Sequence, residues 1–148
     1  MKIIGHRGAR GLSSENTLSS LNEAISHDVD EIEFDVRVTS DNVPVLHHDS
    51  EITNSSGRKF SIDKNTLKFL QKQKPDLPTL KDVFDHIDKK MSLYIEIKPD
   101  VAVKPIIKVL RAQLKKGRPV DALRVASFSQ KTLVEVHEAL PELPKIVL

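Results

Sequence analysis

Residues 31–38 have the sequence EIEFDVRV, and this stretch, together with SLYIEIK at residues 92–98, decides the fold. Apolar and polar residues alternate in the first stretch, so Glu33 and Asp35 point to the same face of a strand. The second stretch repeats the pattern around Glu96. Strands of parallel sheets are normally apolar on both faces, and a buried acid is costly unless it is paired or bound to a metal. The two stretches therefore indicate buried strands that carry a functional site on one face.

Along the whole chain, strand patterns alternate with amphipathic helix patterns. This order is typical of parallel βαβ units, which build either a doubly wound sheet or a (β/α) barrel of the TIM type. The acids lie near the carboxyl ends of their strands, where such barrels carry their chemistry, and this favours the barrel. We count about five barrel strands, whereas a complete barrel has eight strands and about 250 residues. The predicted fold class is therefore α/β, an incomplete TIM-type barrel with a β-hairpin insertion after the second strand.

The hairpin is predicted from turn residues at positions 40–42, which are followed by an apolar return strand at 43–46. We interpret residues 1–148 as a single partial barrel domain. Within it, residues 49–78 are polar and mixed in character, with an evident loop at 54–57. This segment is predicted to be an insertion that faces the substrate.

The composition excludes several classes of protein. The chain has 148 residues, a formal net charge of +2 and no cysteine. A charge so near neutral does not argue for nucleic-acid binding, and disulfides and cysteine-zinc sites are excluded. No stretch approaches the length of a transmembrane segment, and the first residues lack the apolar run of a signal peptide. We therefore expect a cytoplasmic protein.

The three carboxylates of Glu33, Asp35 and Glu96 are the candidate metal ligands. Carboxylate oxygens suit a hard divalent cation such as Mg²⁺ or Ca²⁺ rather than a soft metal. The alternative is that the two strands belong to an antiparallel sheet with one solvated face. Two acidic strands, each following an apolar helix pattern, favour the metal site.

Two histidines are candidates for acid–base chemistry. His6 directly follows the first predicted strand between Gly5 and Arg7, and we interpret the neighbouring glycines as allowing close approach of a ligand. The hairpin would return His48 to the neighbourhood of Asp35. Two imidazoles beside a phosphate could act as general acid and general base near neutral pH. The other four histidines are interpreted as structural or surface residues, and Asn16 and Thr17 as helix-capping residues only.

Several ordered motifs together resemble the signature of the glycerophosphodiester phosphodiesterase family. They are HRGA at 6–9, ENT at 15–17, EFDV at 33–36 with Thr39 and Asp41, PV at 44–45 through HD at 48–49, LPTL at 77–80, EIK at 96–98 and SF at 127–128. The resemblance covers essentially the whole chain and corresponds to the N-terminal portion of that family's barrel.

The resemblance implies a TIM barrel that hydrolyses glycerophosphodiesters to sn-glycerol 3-phosphate and an alcohol with one divalent cation, Mg²⁺ or Ca²⁺. By similarity, His6 and His48 would be the catalytic acid–base pair, and Arg7 and Lys98 would bind the substrate phosphate. The metal ligands would be Glu33, Asp35 and Glu96.

The chain departs from the family pattern in two ways. The arginine that usually follows the His-Asp pair is missing, because no arginine occurs after that pair until Arg58, and the later tryptophan-containing motif is absent. An open sheet of about five strands would leave an exposed edge, so we expect either a truncated sequence or self-association through that edge. A catalytically incompetent fragment or interaction module therefore remains an alternative. Another is an enzyme acting on lysophospholipid diesters, with an apolar surface formed by Phe60, Leu67, Phe69 and Leu70.

Overall fold

The computed structural model describes all residues, 1–148, as fourteen elements in an α/β arrangement. The strands are β1 (Ile4–Gly5), β2 (Glu31–Val38), β3 (Pro44–Leu46), β4 (Glu51–Thr53), β5 (Lys59–Ser61), β6 (Ser92–Ile97), β7 (Leu123–Ser127) and β8 (Lys145–Val147). The helices are α1 (Leu18–Ser26), α2 (Leu67–Gln73), α3 (Leu80–His86), α4 (Val103–Lys115) and α5 (Gln130–Ala139), with a short 3₁₀ turn at Val120–Ala122.

The main sheet contains five parallel strands in the order β1-β2-β6-β7-β8. Helices lie between the successive parallel strands in the chain, as the sequence pattern predicted. The sixth strand, β3, pairs antiparallel with β2 and forms the predicted hairpin. The sheet does not close on itself, so β1 and β8 are its two edges.

The hydrophobic core lies between the sheet and the helices. A cluster of 24 buried residues includes Ile32, Phe34 and Val36 of β2 together with apolar residues of α1, α3, α4 and α5. Since side chains alternate along a strand, the intervening residues of β2 point to the opposite face, which we call the inner face. The predicted alternation of β2 therefore places its carboxylates away from the helices.

Helix α1 begins one residue later than the sequence indicated. The N-cap is Thr17, whose hydroxyl accepts from the backbone N–H of Ser20 at 3.2 Å, while the Ser20 hydroxyl accepts from Thr17 N–H at 3.3 Å. The interpretation of Asn16 as a capping residue is therefore wrong, because Asn16 lies before the cap with a left-handed φ of 56°. Thr79 caps α3 with Asp82 in a capping box, as predicted.

The insertion at residues 49–78 is more ordered than its composition indicated. Strands β4 and β5 form a small antiparallel hairpin around the predicted loop, and α2 follows. A second apolar cluster lies beneath these elements and consists of Val45, Ile52, Ile62, Leu70 and Leu77. Phe60 and Phe69 meet edge to face with ring centroids 5.3 Å apart. The insertion thus has a small core of its own against β3.

None of the five helices combines the length and the apolar character needed to cross a bilayer.

Candidate active site

Three carboxylates converge on the inner face at the carboxyl ends of β2 and β6. Asp35 and Glu96 are direct partners in the parallel register of these strands, and Glu33 precedes Asp35 by one inner-face position. One carboxylate oxygen from each residue lies within 4.8 Å of the other two. The structure therefore brings together all three predicted metal ligands, at a spacing that allows them to share one cation.

Of the three carboxylates, Glu33 is the one whose buried negative charge is least offset by neighbouring cations and hydrogen-bond donors. Burial raises its pKa to about 7, helped by the negative charges of Asp35 and Glu96, although a 2.7 Å hydrogen bond from the Arg7 N–H opposes the shift. Its Oε1 atom is buried and has no hydrogen-bond partner. A buried, unpartnered carboxylate oxygen facing two other carboxylates is a good ligand for a hard cation.

Asp35 is held in its charged form by its neighbours. Burial alone would raise its pKa, but hydrogen bonds from Lys98 and Asn16 and the positive charge of Arg7 outweigh that effect and lower the pKa. Lys98 Nζ lies 2.6 Å from Asp35 Oδ1 and also contacts Glu96, while Arg7 Nε lies 3.3 Å from Asp35 Oδ2. Both predicted phosphate-binding cations therefore lie directly beside the carboxylate cluster.

Asn16 is a residue of this site that the sequence analysis missed. Its side-chain amide donates to Asp35 Oδ2 at 2.9 Å, and its carbonyl oxygen accepts from Asp35 N–H at 3.1 Å. The backbone N–H of Asn16 also donates to the Arg7 carbonyl at 3.1 Å. Asn16 thus orients Asp35 and ties it to the loop that carries His6. The available signal was a second capping residue, Thr17, directly after Asn16, together with the tolerance of asparagine for a positive φ.

Packing explains why glycines flank the His6 loop. A Cβ on Gly5 would lie 2.9 Å from the Ala24 Cβ, and one on Gly8 would lie 2.5 Å from atoms of Ser20. Gly8 also has a left-handed φ of 76°. These glycines therefore let the loop approach helix α1, and close approach of a ligand to the same backbone stays a prediction. Glu15 completes the loop with a 2.8 Å ion pair to Arg7.

The two candidate catalytic histidines follow strands β1 and β3, which both pair with β2. His6 follows β1 and places its Nε2 3.8 Å from Glu33 Oε2. The segment after β3 carries His48, and the preceding residue, His47, donates its backbone N–H to the Asp35 carbonyl at 3.1 Å. The His6 imidazole therefore lies beside the carboxylate cluster, and the backbone directly before His48 is hydrogen-bonded to Asp35.

His48 contacts two further residues: Asp49, quoted above only as part of the HD motif, and Arg37, which was not singled out in the sequence. The His48 Nδ1 atom lies 2.8 Å from Asp49 Oδ1, and this hydrogen bond contributes most to lowering the pKa of Asp49. Arg37 Nε donates to the His48 carbonyl at 2.9 Å. With Nδ1 engaged by an aspartate, Nε2 of His48 is the ring atom available for proton exchange.

The chain matches the model of the glycerophosphoryl diester phosphodiesterase family over residues 6–148. It is 29% identical to a glycerophosphodiester phosphodiesterase of Bacillus subtilis over 98% of this chain and 58% of that protein. It is 31% identical to one from Caldanaerobacter subterraneus over 95% of this chain and 63% of that protein. The chain thus spans about three fifths of the length of these relatives.

Solved structures agree with this match. A Thermotoga maritima glycerophosphodiester phosphodiesterase superposes with a TM-score of 0.78 at 28% identity, over 93% of this chain and 59% of that one. An Oleispira antarctica phosphodiesterase in complex with the product sn-glycerol 3-phosphate superposes with a TM-score of 0.82 at 27% identity, over 98% and 64%. The likeness confirms the predicted fold class, an incomplete (β/α) TIM-type barrel.

Proposed function

Because this chain belongs to the glycerophosphoryl diester phosphodiesterase family, we propose that its site hydrolyses glycerophosphodiesters to sn-glycerol 3-phosphate and an alcohol. The observation that carries the proposal is the convergence of three carboxylates from two neighbouring strands, with an unpartnered buried oxygen on Glu33. The product complex of the Oleispira relative supports the same substrate class.

Glu33, Asp35 and Glu96 would hold one divalent cation, Mg²⁺ or Ca²⁺. The donor set fits such an ion because it consists only of carboxylate oxygens and has no permanent cation at Glu33 Oε1. When bound, the ion would supply charge neutralisation of the phosphoryl oxygens and orientation of the nucleophile.

Arg7 and Lys98 would bind the phosphate. Their cationic groups lie on the carboxylate cluster, so a phosphate placed there would meet the guanidinium fork and the ammonium together. The ion pairs with Glu15 and Asp35 hold the Arg7 side chain in place and reduce the entropy that binding would otherwise cost.

His6 and His48 would move the protons. One imidazole would take a proton from the attacking hydroxyl or water, and the other would give one to the leaving alcohol oxygen. Asp49 would keep the His48 ring oriented and favour the tautomer that leaves Nε2 free for transfer.

The test is turnover of a glycerophosphodiester by this chain with Mg²⁺ or Ca²⁺, followed by addition of a chelator. We expect hydrolysis that stops on chelation and falls by about 10³-fold in His6→Ala, since an acid–base group contributes about 10² to 10⁴. His27→Ala is the matched control, because His27 lies on the surface at the end of α1, where it contacts Glu23. Full activity in the chelator or in His6→Ala would refute the proposed chemistry, and a folded chain without turnover would favour the non-catalytic alternative.

A further inference from the structure

A cavity of about 660 Å³ lies at the carboxyl ends of β2 and β6, and none of the proposed catalytic roles uses its lining residues. One wall contains Arg37, which follows Asp35 by one inner-face position on β2. Another contains Pro99 and Asp100, which directly follow Lys98 at the end of β6. A molecule whose phosphate lies between Arg7 and Lys98 could therefore extend into this cavity.

The insertion supplies the third wall, with Ser50, Ser61, Asp63 and Lys64. The Ser61 hydroxyl donates to the Asp63 carboxylate, and the Asn65 side chain donates to the Ser61 carbonyl at 2.7 Å. The wall is connected to the turn after β2, because the backbone N–H of residue 40 donates to the Asn65 carbonyl at 3.1 Å. Hydrogen bonds therefore build this wall into the fold at the position where the insertion was predicted to face the substrate.

The charges that line the cavity balance. Arg37 and Lys64 contribute two positive charges, and Asp63 and Asp100 contribute two negative charges. The Arg37 guanidinium lies in the field of several carboxylates and is fixed by its hydrogen bond to the His48 carbonyl. Such a lining has no net attraction for a cationic head group.

The lining also contains no aromatic side chain. The aromatic pair of the insertion, Phe60 and Phe69, packs on itself and lies outside the cavity wall. Quaternary ammonium groups are typically recognised by aromatic faces, which are missing here. A choline-like group would therefore find neither charge nor aromatic complementarity.

Hydroxyl groups are the feature that the lining does offer. Those of Ser40 and Ser50 make no side-chain hydrogen bond within the protein, and the Ser61 hydroxyl, which donates to Asp63, can still accept one. The Thr39 hydroxyl is already engaged, because it donates to Asp41 and accepts from the Val43 N–H. We propose that this cavity is the subsite for the alcohol part of the diester and that it takes a neutral, polyhydroxylated alcohol. The assignment rests on the proposed function, since it requires a phosphodiester to be held at the neighbouring site.

The test compares three diesters: glycerophosphoglycerol, glycerophosphoinositol and glycerophosphocholine. We expect kcat/KM for the two polyol diesters to exceed that for the choline diester by about tenfold, as one or two net hydrogen bonds allow. The double variant Ser61→Ala with Asp63→Asn should remove most of this preference by slowing only the polyol diesters. Ser55→Ala, an exposed serine in the turn between β4 and β5, is the control and should keep it.

A second variant provides an independent test if the double variant at Ser61 and Asp63 prevents the insertion from folding. Asp100→Asn changes a different wall, in the loop after β6, and should reduce the same preference. Equal or faster hydrolysis of the choline diester by the unaltered chain would overturn the subsite and leave the proposed function standing.

If no diester is hydrolysed, the proposed function fails, and binding of the three diesters in the presence of Ca²⁺ decides the subsite separately. Binding of the polyol diesters about tenfold more tightly than the choline diester supports it. Equal binding, or no binding of any of the three, overturns it.

Discussion

Glu31 and Glu33 lie two residues apart on the same face of β2, and both side chains are buried. Glu31 lies at the amino end of the strand, where Lys2 and Arg124 each approach it at 3.1 Å and the Ser92 hydroxyl donates to it at 2.9 Å. Toward the carboxyl end, three carboxylates share the two permanent cations of Arg7 and Lys98. Glu31 and Glu33 each have one buried oxygen without a hydrogen bond, but Glu31 Oε2 lies 3.1 Å from Lys2 Nζ, whereas Glu33 Oε1 pairs with no cation.

The contrast separates a buried charge that is neutralised within the fold from one that we propose binds a metal ion. Two cations neutralise Glu31 within the fold, so no bound ion is required to offset its charge. The carboxyl-end cluster retains excess negative charge, and the pKa of Glu33 rises to about 7 in response. Burial of a carboxylate therefore does not by itself indicate a functional site. A buried carboxylate whose negative charge is not fully offset by neighbouring cations is the better candidate.

The largest expected effect is on catalysis. Glu96→Gln should lower kcat/KM by about 10³-fold, because it removes a proposed ligand of the ion that stabilises the transition-state charge. Glu31→Gln, an equally small change on the same inner face, should leave kcat/KM within about threefold. Steady-state kinetics at saturating Mg²⁺ measures kcat/KM for both variants. An equal loss of kcat/KM in the two variants would contradict the distinction between the two ends of β2.

Loss of a cation should also affect stability unequally at the two ends. Without a divalent ion, Lys98→Met should lower the free energy of unfolding by about 3 kcal/mol, because it leaves buried carboxylates uncompensated. Arg124→Met should lower it by about 1 kcal/mol, since Glu31 keeps Lys2 and the arginine is partly exposed. Urea unfolding with and without Mg²⁺ checks this, and Mg²⁺ should rescue only Lys98→Met.

Asn16→Ala should weaken divalent-ion affinity by about 10- to 100-fold, the usual effect of removing a group that orients a metal ligand. Thr17→Ala should lower the free energy of unfolding by about 1 kcal/mol through loss of the helix cap and leave the affinity unchanged. Titration of Ca²⁺ into both variants distinguishes these roles. Unchanged affinity in Asn16→Ala would mean that its two hydrogen bonds to Asp35 are only structural.

The pKa of Glu33 predicts a pH dependence of stability in the absence of metal. The folded value of about 7 exceeds the ordinary value of 4.5, so the folded state binds the proton more tightly than the unfolded state. This contribution is complete below about pH 4.5 and is lost as pH rises through about 7. The decline should disappear in Glu33→Gln and should persist in Glu31→Gln. Thermal unfolding in a chelator across this range measures it, and a decline that persists in Glu33→Gln would assign the effect to another group.

Local patterns were sufficient to predict the strands of the main sheet, the hairpin after β2, the capping box at Thr79 and the convergence of Glu33, Asp35 and Glu96. Strand periodicity is a local property, and parallel register then aligns the acids automatically. Self-association through the edges of the sheet stays a prediction, with β1 and β8 each paired on one side only.

The sequence analysis missed residues for two reasons. Some contact residues that are distant in sequence, and for others a local role such as helix capping was already a sufficient explanation. Asn16 reaches Asp35 nineteen positions away, and helix capping was a sufficient local explanation for it. The need for a glycine at position 8 becomes evident only from the packing of helix α1 against Gly8. The order within the insertion depends on Ile52, Ile62 and Leu70 meeting in space, which no single strand or helix pattern reveals.

The most direct test of the central claim is calorimetric titration of Ca²⁺ into the unaltered chain, Glu33→Gln and Glu31→Gln at pH 7.5. We predict one bound ion per chain in the unaltered protein and in Glu31→Gln, and loss of that binding in Glu33→Gln. Binding that survives in Glu33→Gln, or that disappears in Glu31→Gln while the chain stays folded, would contradict the assignment of the carboxyl-end cluster as the metal site.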